Sequence, residues 1–329
     1  MTGRLRSYAV ASALAFMLLA ERAAADTGDA GQVGSTARLG QGARALGMGQ
    51  AFSAVADDAS SLFYNTGALA QVRNPEVGFA WRVMPDLDRR QGYANAVLPL
   101  REQASIGVSW VYSGVGDIVE RNSQGVAGET FSFSENFFTL AFAKQFGRVI
   151  MLGGGVHYVQ QSLFDVSAGS VGLSVGMHAR FDRESRRPYS DALQRLTVGA
   201  AVQHAGISLR FDSGEYYEPR GQGTGTVTSE TFPVVVRLGS AYRFLARRNL
   251  LVAVEGTWVE HQHARLYAGT EWGLSEHLLL RAGLADLSPA AGFGLRQPWG
   301  GRIISLDYAF VSNPAGVTSD HVISLGVAF

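Results

Sequence analysis

The chain contains no cysteine, which excludes a disulfide framework, thiolate chemistry and a lipid anchor on a mature amino-terminal cysteine. Charge is scarce too. Charged side chains make up 17% of the 329 residues, against roughly 25% in ordinary soluble domains. The 28 basic and 28 acidic residues cancel, so the balance points to neither nucleic acid nor an acidic partner. Beyond residue 25 no apolar run of about 18 residues occurs, and no membrane-spanning helix is expected. No Ser/His/Asp arrangement has a convincing setting, so no enzyme is expected. His261 and His263 share one strand face but lack a third ligand, which reads as a solvated turn and not a metal site. Gly221-Gln-Gly-Thr-Gly225 lacks the Lys-Ser/Thr ending and following helix of a phosphate loop, and reads as a flexible external loop. No cofactor is expected.

What is present begins with a targeting segment. Arg4 and Arg6 precede an apolar core at residues 8–20, followed by Glu21, Arg22 and the A-x-A cleavage signal Ala23-Ala24-Ala25. The core is too short for a membrane anchor. The mature chain is expected to start at Asp26.

The other end alternates. His321, Ile323, Leu325, Val327 and Phe329 share one face, and Val322, Ser324, Gly326 and Ala328 the other. A period of two marks a strand. The same pattern sets Ile106, Val108, Trp110 and Tyr112 against Gly107, Ser109, Val111 and Ser113. It also sets Val171, Leu173, Val175 and Met177 against Gly172, Ser174, Gly176 and His178, and Ile304, Leu306, Tyr308 and Phe310 against Ile303, Ser305, Asp307 and Ala309. One apolar face would also suit a soluble sandwich. Two details favour a membrane barrel. The apolar face often carries Trp or Tyr, as at Trp81, Trp110, Tyr112, Trp258 and Trp272, the pattern of interfacial aromatic girdles. The opposite face is mainly Gly, Ala and Ser with single charges, unlike the Lys/Glu/Thr mixture of a wetted surface.

The fold class expected is all-β: a transmembrane antiparallel β-barrel of about fourteen strands, each near the roughly 9–11 residues that cross at a tilt. They are expected near residues 76–84, 90–98, 104–113, 131–145, 149–161, 169–181, 195–204, 230–244, 249–260, 264–272, 277–285, 290–296, 302–311 and 321–329, the second having the poorest alternation. Tight connections at residues 146–148, 245–248 and 273–276 fall on one side. The longest, 114–130 and 205–229, fall on the other, as short periplasmic turns and longer external loops should. Residues 182–194 break that trend, being long, charged and on the short-turn side.

By alternation Arg237, Glu255, Arg265, Glu271, Arg281, Arg296 and Asp307 point into the lumen. An Arg facing lipid at mid-membrane would cost about 2–4 kcal/mol, whereas inward charges can pair across strands. They form either a ladder joining the wall to its filling or a polar track for a ligand head group. Arg186-Arg187 and Arg247-Arg248 read as solvated or near lipid head groups.

A barrel this wide is not filled by its own side chains, and residues 38–70 are the expected plug, inserted from the side where the first strand starts. The division is a signal peptide at 1–25, a partly helical hatch at 26–75 and a barrel at 76–329. Asp57 or Asp58 is expected to cap a helix over residues 59–64. Asn65-Thr66-Gly67 would end it, Gly67 being able to take a positive φ. Gly42, Gly47 and Gly49 let the backbone before it fold tightly.

Residues 40–65, GQGARALGMGQAFSAVADDASSLFYN, resemble the amino-terminal hatch of the FadL-like outer-membrane barrels. The nearest match is the PorV/PorQ branch, where a Gly-Ala-Arg-Ala-x-Gly-Met-Gly phrase leads into Ala-Asp-Asp-Ala and then Asn-Pro-Ala-Gly-Leu-Ala. Here the last phrase is Asn65-Thr-Gly-Ala-Leu-Ala70, without the proline. The resemblance implies a fourteen-stranded barrel in outer-membrane lipid, closed by a hatch in which Arg44, Asp57, Asp58, Asn65 and Gly67 are the candidate ligand-binding or closing residues. It also implies assembly machinery that reads the final strand ending in Phe329. Two functions follow from it: passive uptake of long-chain fatty acids or other hydrophobic compounds, or a non-transporting adaptor that works with secretion components in type IX-like protein secretion, receiving secreted cargo, or in envelope assembly.

Overall fold

The alternating segments pair into one closed sheet. A computed structural model describes residues 34–84, 89–121, 124–181, 195–218, 223–244, 249–312 and 319–329. The strands are β1 Glu76–Met84, β2 Arg89–Leu100, β3 Ala104–Arg121, β4 Ala127–Phe146, β5 Ile150–Leu163, β6 Val166–Arg180, β7 Leu196–Ala205, β8 Ser208–Asp212, β9 Val227–Thr231, β10 Val235–Phe244, β11 Leu250–Val259, β12 Arg265–Gly273, β13 Leu278–Ala285, β14 Ser288–Trp299, β15 Arg302–Val311 and β16 Asp320–Ala328. Fourteen of them, β1–β7 and β10–β16, form a closed antiparallel barrel in sequence order, and β1 pairs with both β2 and β16. Closure leaves no sheet edge, so every strand finds partners for its backbone on both sides.

These fourteen strands are the ones the alternation anticipates. The near rim is where β1 starts and β16 ends; the far rim is where β1 gives way to β2. Residues with outward side chains, such as Val108, Leu140, Val156 and Val175, are about half exposed at 52%, 52%, 48% and 59%, while their inward neighbours Ser109, Ala141 and Ser174 are buried. Trp258 lies towards the far rim, and Trp272 and Trp299 towards the near one. At the near rim β14 and β15 are joined by Gly300-Gly301, both with positive φ (57° and 79°), as a two-residue hairpin turn whose twist matches the strands requires.

The structure departs from the expected boundaries in three places. Residues 114–130 are not a loop. β3 and β4 stay paired to Arg121↔Ala127, well past Val115, which faces Arg89 at the start of β2, with register shifts after Val115 and Val119. Alternation fades there because both faces of the protruding hairpin are exposed to the same medium. Residues 205–229 hold most of a separate two-stranded sheet, β8–β9, and a short helix Gly214–Tyr217. The expected strand 230–244 is split at Phe232-Pro233-Val234, since proline has no N–H for the ladder and Phe232 turns inward to full burial. The poor alternation of β2 also has a cause: its outward positions include Gly92, Ala94 and Ala96. The Trp81 ring covers Gly92, where a Cβ would meet it at 3.2 Å. The signal segment, residues 182–194 and 245–248, and Gly221 lie outside the described residues, and with them Arg186, Arg187, Arg247 and Arg248.

Candidate functional site

Residues 34–72 lie inside the barrel and are mostly buried. The first described residue, Gly34, sits at the far rim against the Phe232 ring, and Thr36 accepts a hydrogen bond from Arg89 Nη2 at 2.7 Å. The segment then descends and ends at the near rim, where β1 begins. It thus spans the lumen, whereas the sequence suggested a plug entering from one end. Its helices are short: Ser35–Arg38, Ala43–Gly47, Ser61–Tyr64 and a 3-10 helix Thr66–Gln71. Positive φ at Gly40, Gly42 and Gly49 (77°, 79° and 60°) turns the chain between them, a conformation costly for any residue with a Cβ.

The two aspartates do something other than cap a helix at residue 59. The helix starts at Ser61, its cap position is Ser60, and no side chain caps it. Asp58 Oδ1 accepts from the Ser60 N–H at 2.9 Å, a local turn bond. Both aspartates bind Arg44: Nη1 donates to Asp57 Oδ1 at 2.5 Å and to Asp58 Oδ2 at 2.7 Å. Burial pushes the Asp58 carboxyl up, but the Arg44 guanidinium and the Ser60 hydrogen bonds outweigh it and hold the group below its usual range. Gly67 likewise has another role. Its φ is not positive. A Cβ there would lie 2.5 Å from the Gly176 carbonyl oxygen of β6.

Arg44 is the first link of a chain of charges reaching the wall. Its Nε and Nη2 donate to the two oxygens of Glu271, both at 2.9 Å. Arg281 Nε donates to Glu271 Oε2 at 2.7 Å, and Arg281 Nη1 to Asp307 Oδ1 at 2.6 Å. A second group joins Arg237 to Glu255 at 2.9 Å, and Glu255 Oε2 accepts the backbone N–H groups of Phe52 and Ser53 at 3.0 and 2.8 Å. The structure therefore brings together five of the seven inward charges named from alternation, and ties them to the segment. Arg265 stands apart near the far rim, 3.9 Å from Asp286, and Arg296 stands near the near rim beside a cavity. Alternation also places Arg82 inward, but its partner was not foreseen: it pairs with Asp320 of β16 and donates to the Leu39 carbonyl at 2.8 Å.

Asn65 fastens the turn between the last two helices. Its Nδ2 donates to the carbonyls of Ser53 and of Met177 on β6, both at 2.9 Å, and its Oδ1 accepts from Gly67 N at 3.0 Å. Asn65 itself is extended, with φ −160° and ψ 101°. That geometry suits a residue before proline, and Thr66 is the first residue of its helix, where proline is favoured. Thr66→Pro should therefore leave the melting temperature of the purified barrel within about 2 °C of wild type, or raise it slightly by narrowing the unfolded ensemble.

The wall receives the segment on glycine. Inward-facing glycines on β13, β12, β7, β6 and β5 carry its backbone: Cβ atoms at Gly283 and Gly269 would overlap Gly49 N and Met48 O, at Gly199 the Ser53 carbonyl, at Gly176 the Asn65 side chain and Gly67 N, and at Gly153 the Thr66 carbonyl. At Gly239 a Cβ would meet Ser53 Oγ at 2.5 Å. The segment thus runs around the inner wall past β13, β12, β7, β6 and β5 at backbone-contact distance, and touches β10 through the Ser53 side chain. Inward Gly recurs in the sequence at these strands, and that recurrence was the available sign of a close-fitting partner.

A cavity of about 290 Å³ remains at the near rim, between residues 42–60 and strands β1, β2, β15 and β16. Its polar lining includes Arg44, Asp57, Asp58, Glu76, Asn95 and Arg296. Among the described residues no three His, Cys, Asp or Glu side chains are grouped so as to hold a metal. His261 and His263 are on an exposed turn, 3.7 Å from Glu260 and Asp286 respectively.

No family model and no curated protein matches the chain. Solved structures do. The toluene transporter TodX of Pseudomonas putida aligns with a TM-score of 0.58 at 14% identity, covering 88% of this chain and 97% of that one. The toluene transporter TbuX of Ralstonia pickettii aligns at 0.61 and 13%, covering 88% and 98%. A Pseudomonas aeruginosa FadL homologue aligns at 0.54 and 13%, with the same coverage. At such identity the likeness is one of architecture, and the chain has the closed fourteen-strand barrel fold of these proteins.

Proposed function

We propose that the protein is an outer-membrane channel for passive uptake of hydrophobic compounds, delivered there by its amino-terminal signal segment and closed by residues 34–72 acting as a hatch. The observation that carries this reading is a closed barrel with an apolar outer face whose lumen is filled by a separate, hydrogen-bonded segment with a cavity left at one end. On this reading the filling is what keeps water and ions from diffusing freely, as an uptake channel for apolar solutes requires. The likeness to toluene transporters supports the same assignment. In this reading the near rim is the periplasmic one, because the largest projections, the β3–β4 arm and the β8–β9 insertion, leave from the far rim. No catalytic grouping is part of this reading.

The PorV/PorQ-like phrase at residues 40–65 carries the second reading, an adaptor for secretion that moves no solute. One experiment separates them. Full-length protein in lipopolysaccharide-containing proteoliposomes should take up radiolabelled toluene several-fold faster than protein-free vesicles do. Equal rates would reject the channel and leave the adaptor.

A further inference from the structure

The two rims differ in charge. At the near rim exposed arginines recur from one connection to the next: Arg101 between β2 and β3, Arg148 between β4 and β5, Arg195 just before β7, Arg243 near the end of β10 and Arg302 at the start of β15. Arg73, also exposed, stands where the segment passes into β1. Among the described residues the wall acids of this rim are Glu76, Glu102 and Glu276, with the Phe329 carboxylate. Asp57 and Asp58 of the segment are already bound to Arg44. The far rim is the reverse. Asp117, Glu120, Glu129, Asp165, Glu230 and Glu260 are exposed there, against Arg90, Arg121 and Arg210.

Depth decides what the near-rim arginines meet. They sit at the edge of the apolar outer band and share their turns with its last members. Arg101 follows exposed Leu100, Arg148 lies between exposed Phe146 and Ile150, and Arg243 precedes exposed Phe244. Arg302 lies over the Phe329 ring, with its Cζ 4.8 Å from the ring centre. Trp299, its partner across the β14–β15 ladder, is exposed beside it. A guanidinium resting on an outward ring keeps its stem among apolar groups and its head at the depth of lipid head groups. Cations meant for a protein in the periplasm would instead project from polar turns.

We propose that the near-rim arginines form a ring that holds anionic phospholipid of the periplasmic leaflet by its phosphodiester. The proposal goes beyond the channel reading and rests only on the membrane barrel within it, with the near rim periplasmic. Complementary charge supplies the attraction, and a cation beside an anionic lipid surface favours the charged lipid by about fivefold. The acids of the far rim repel the same head group, so the selection is one-sided.

Full-length protein is assembled in phosphatidylcholine vesicles that contain a small share of photoactivatable lipid, either phosphatidylglycerol or phosphatidylcholine, reactive near its glycerol. Anomalous migration of unboiled samples confirms a folded barrel. After irradiation, mass spectrometry maps the labelled residues. Phosphatidylglycerol should label the near rim at least about fivefold more than phosphatidylcholine does, and the far rim no more. Molar salt should remove most of that excess. Arg302→Gln should abolish most of the excess at residues 299–304, Arg302→Lys should keep most of it, and the far-rim control Arg121→Gln should change nothing. Equal labelling of the near rim by the two lipids would overturn the proposal and leave the arginines to an acidic protein of the periplasm. An equal excess at both rims would overturn the ring as its cause. A wild-type chain that does not migrate as a folded barrel would reject the membrane barrel, and this proposal with it. Toluene uptake does not enter the test, so the channel reading stands or falls separately.

Discussion

Gly199→Val should abolish the folded barrel, whereas Gly154→Val should not. At Gly199 any Cβ overlaps the Ser53 carbonyl oxygen and lies 2.5 Å from the Ser53 carbonyl carbon. Neither side can yield. β7 is held by its ladders to β6 and β10, and Ser53 is held by Glu255 and by Asn65. Overpacking costs typically about 1–3 kcal/mol where side chains can shift, and a clash between two fixed backbones exceeds that range. Gly154, on the outward face of β5, would place its Cβ 3.6 Å from the nearest atom, an ordinary contact. Unboiled samples on gels report the result: Gly154→Val should migrate as folded, and Gly199→Val as unfolded or as a small folded fraction. Equal folding of the two would mean that the segment can withdraw from the wall, and that its fit does not govern assembly.

Glu271→Leu should be the most damaging change to the charge chain. Glu271 sits between Arg44 and Arg281, its side chain 5% exposed. Removing it leaves two buried guanidiniums facing each other across an apolar gap. Breaking a buried ion pair by taking one partner costs about 3–5 kcal/mol. The measurement is the denaturant midpoint of the purified barrel, together with protease cleavage within residues 34–72, which should become detectable. Adding Arg44→Leu should restore part of the loss, because an opposite charge then leaves with the first. Asp57 and Asp58 tolerate that removal since their side chains are 40% and 31% exposed. Additive losses in the double variant would show that the two groups do not act as a pair.

Much of the wall was legible in the sequence because its rule is local. A strand in a barrel must show one face to apolar surroundings and one to the lumen, so Val108 and Ser109, or Leu306 and Asp307, reveal their directions by parity alone. The same parity located Arg237, Glu255, Glu271 and Arg281 inside. It failed where that rule relaxes: in the arm beyond Val115, which no wall strand flanks, and at β2, where Trp81 stands in for the missing side chain of Gly92.

The segment was legible as a foreign element but not in its workings. Asp57 and Asp58 look like a helix cap from their neighbours in sequence, and Gly67 like a turn residue. Both assignments are local, and the actual constraints come from far along the chain: Arg44 at 13 residues' distance for Asp57, and the β6 backbone 109 residues beyond Gly67. The sequence by itself determined an all-β chain with inward and outward faces, fourteen crossings and a soft, small-residue stretch before them, because periodicity and backbone permissiveness are properties of neighbouring residues. Only the tertiary structure decided which inward charge meets which, that the glycines form a seat, and that the segment parts from the wall along one arc. Those depend on closure of the ring, which sets residues hundreds of positions apart at contact distance and leaves no trace in local pattern.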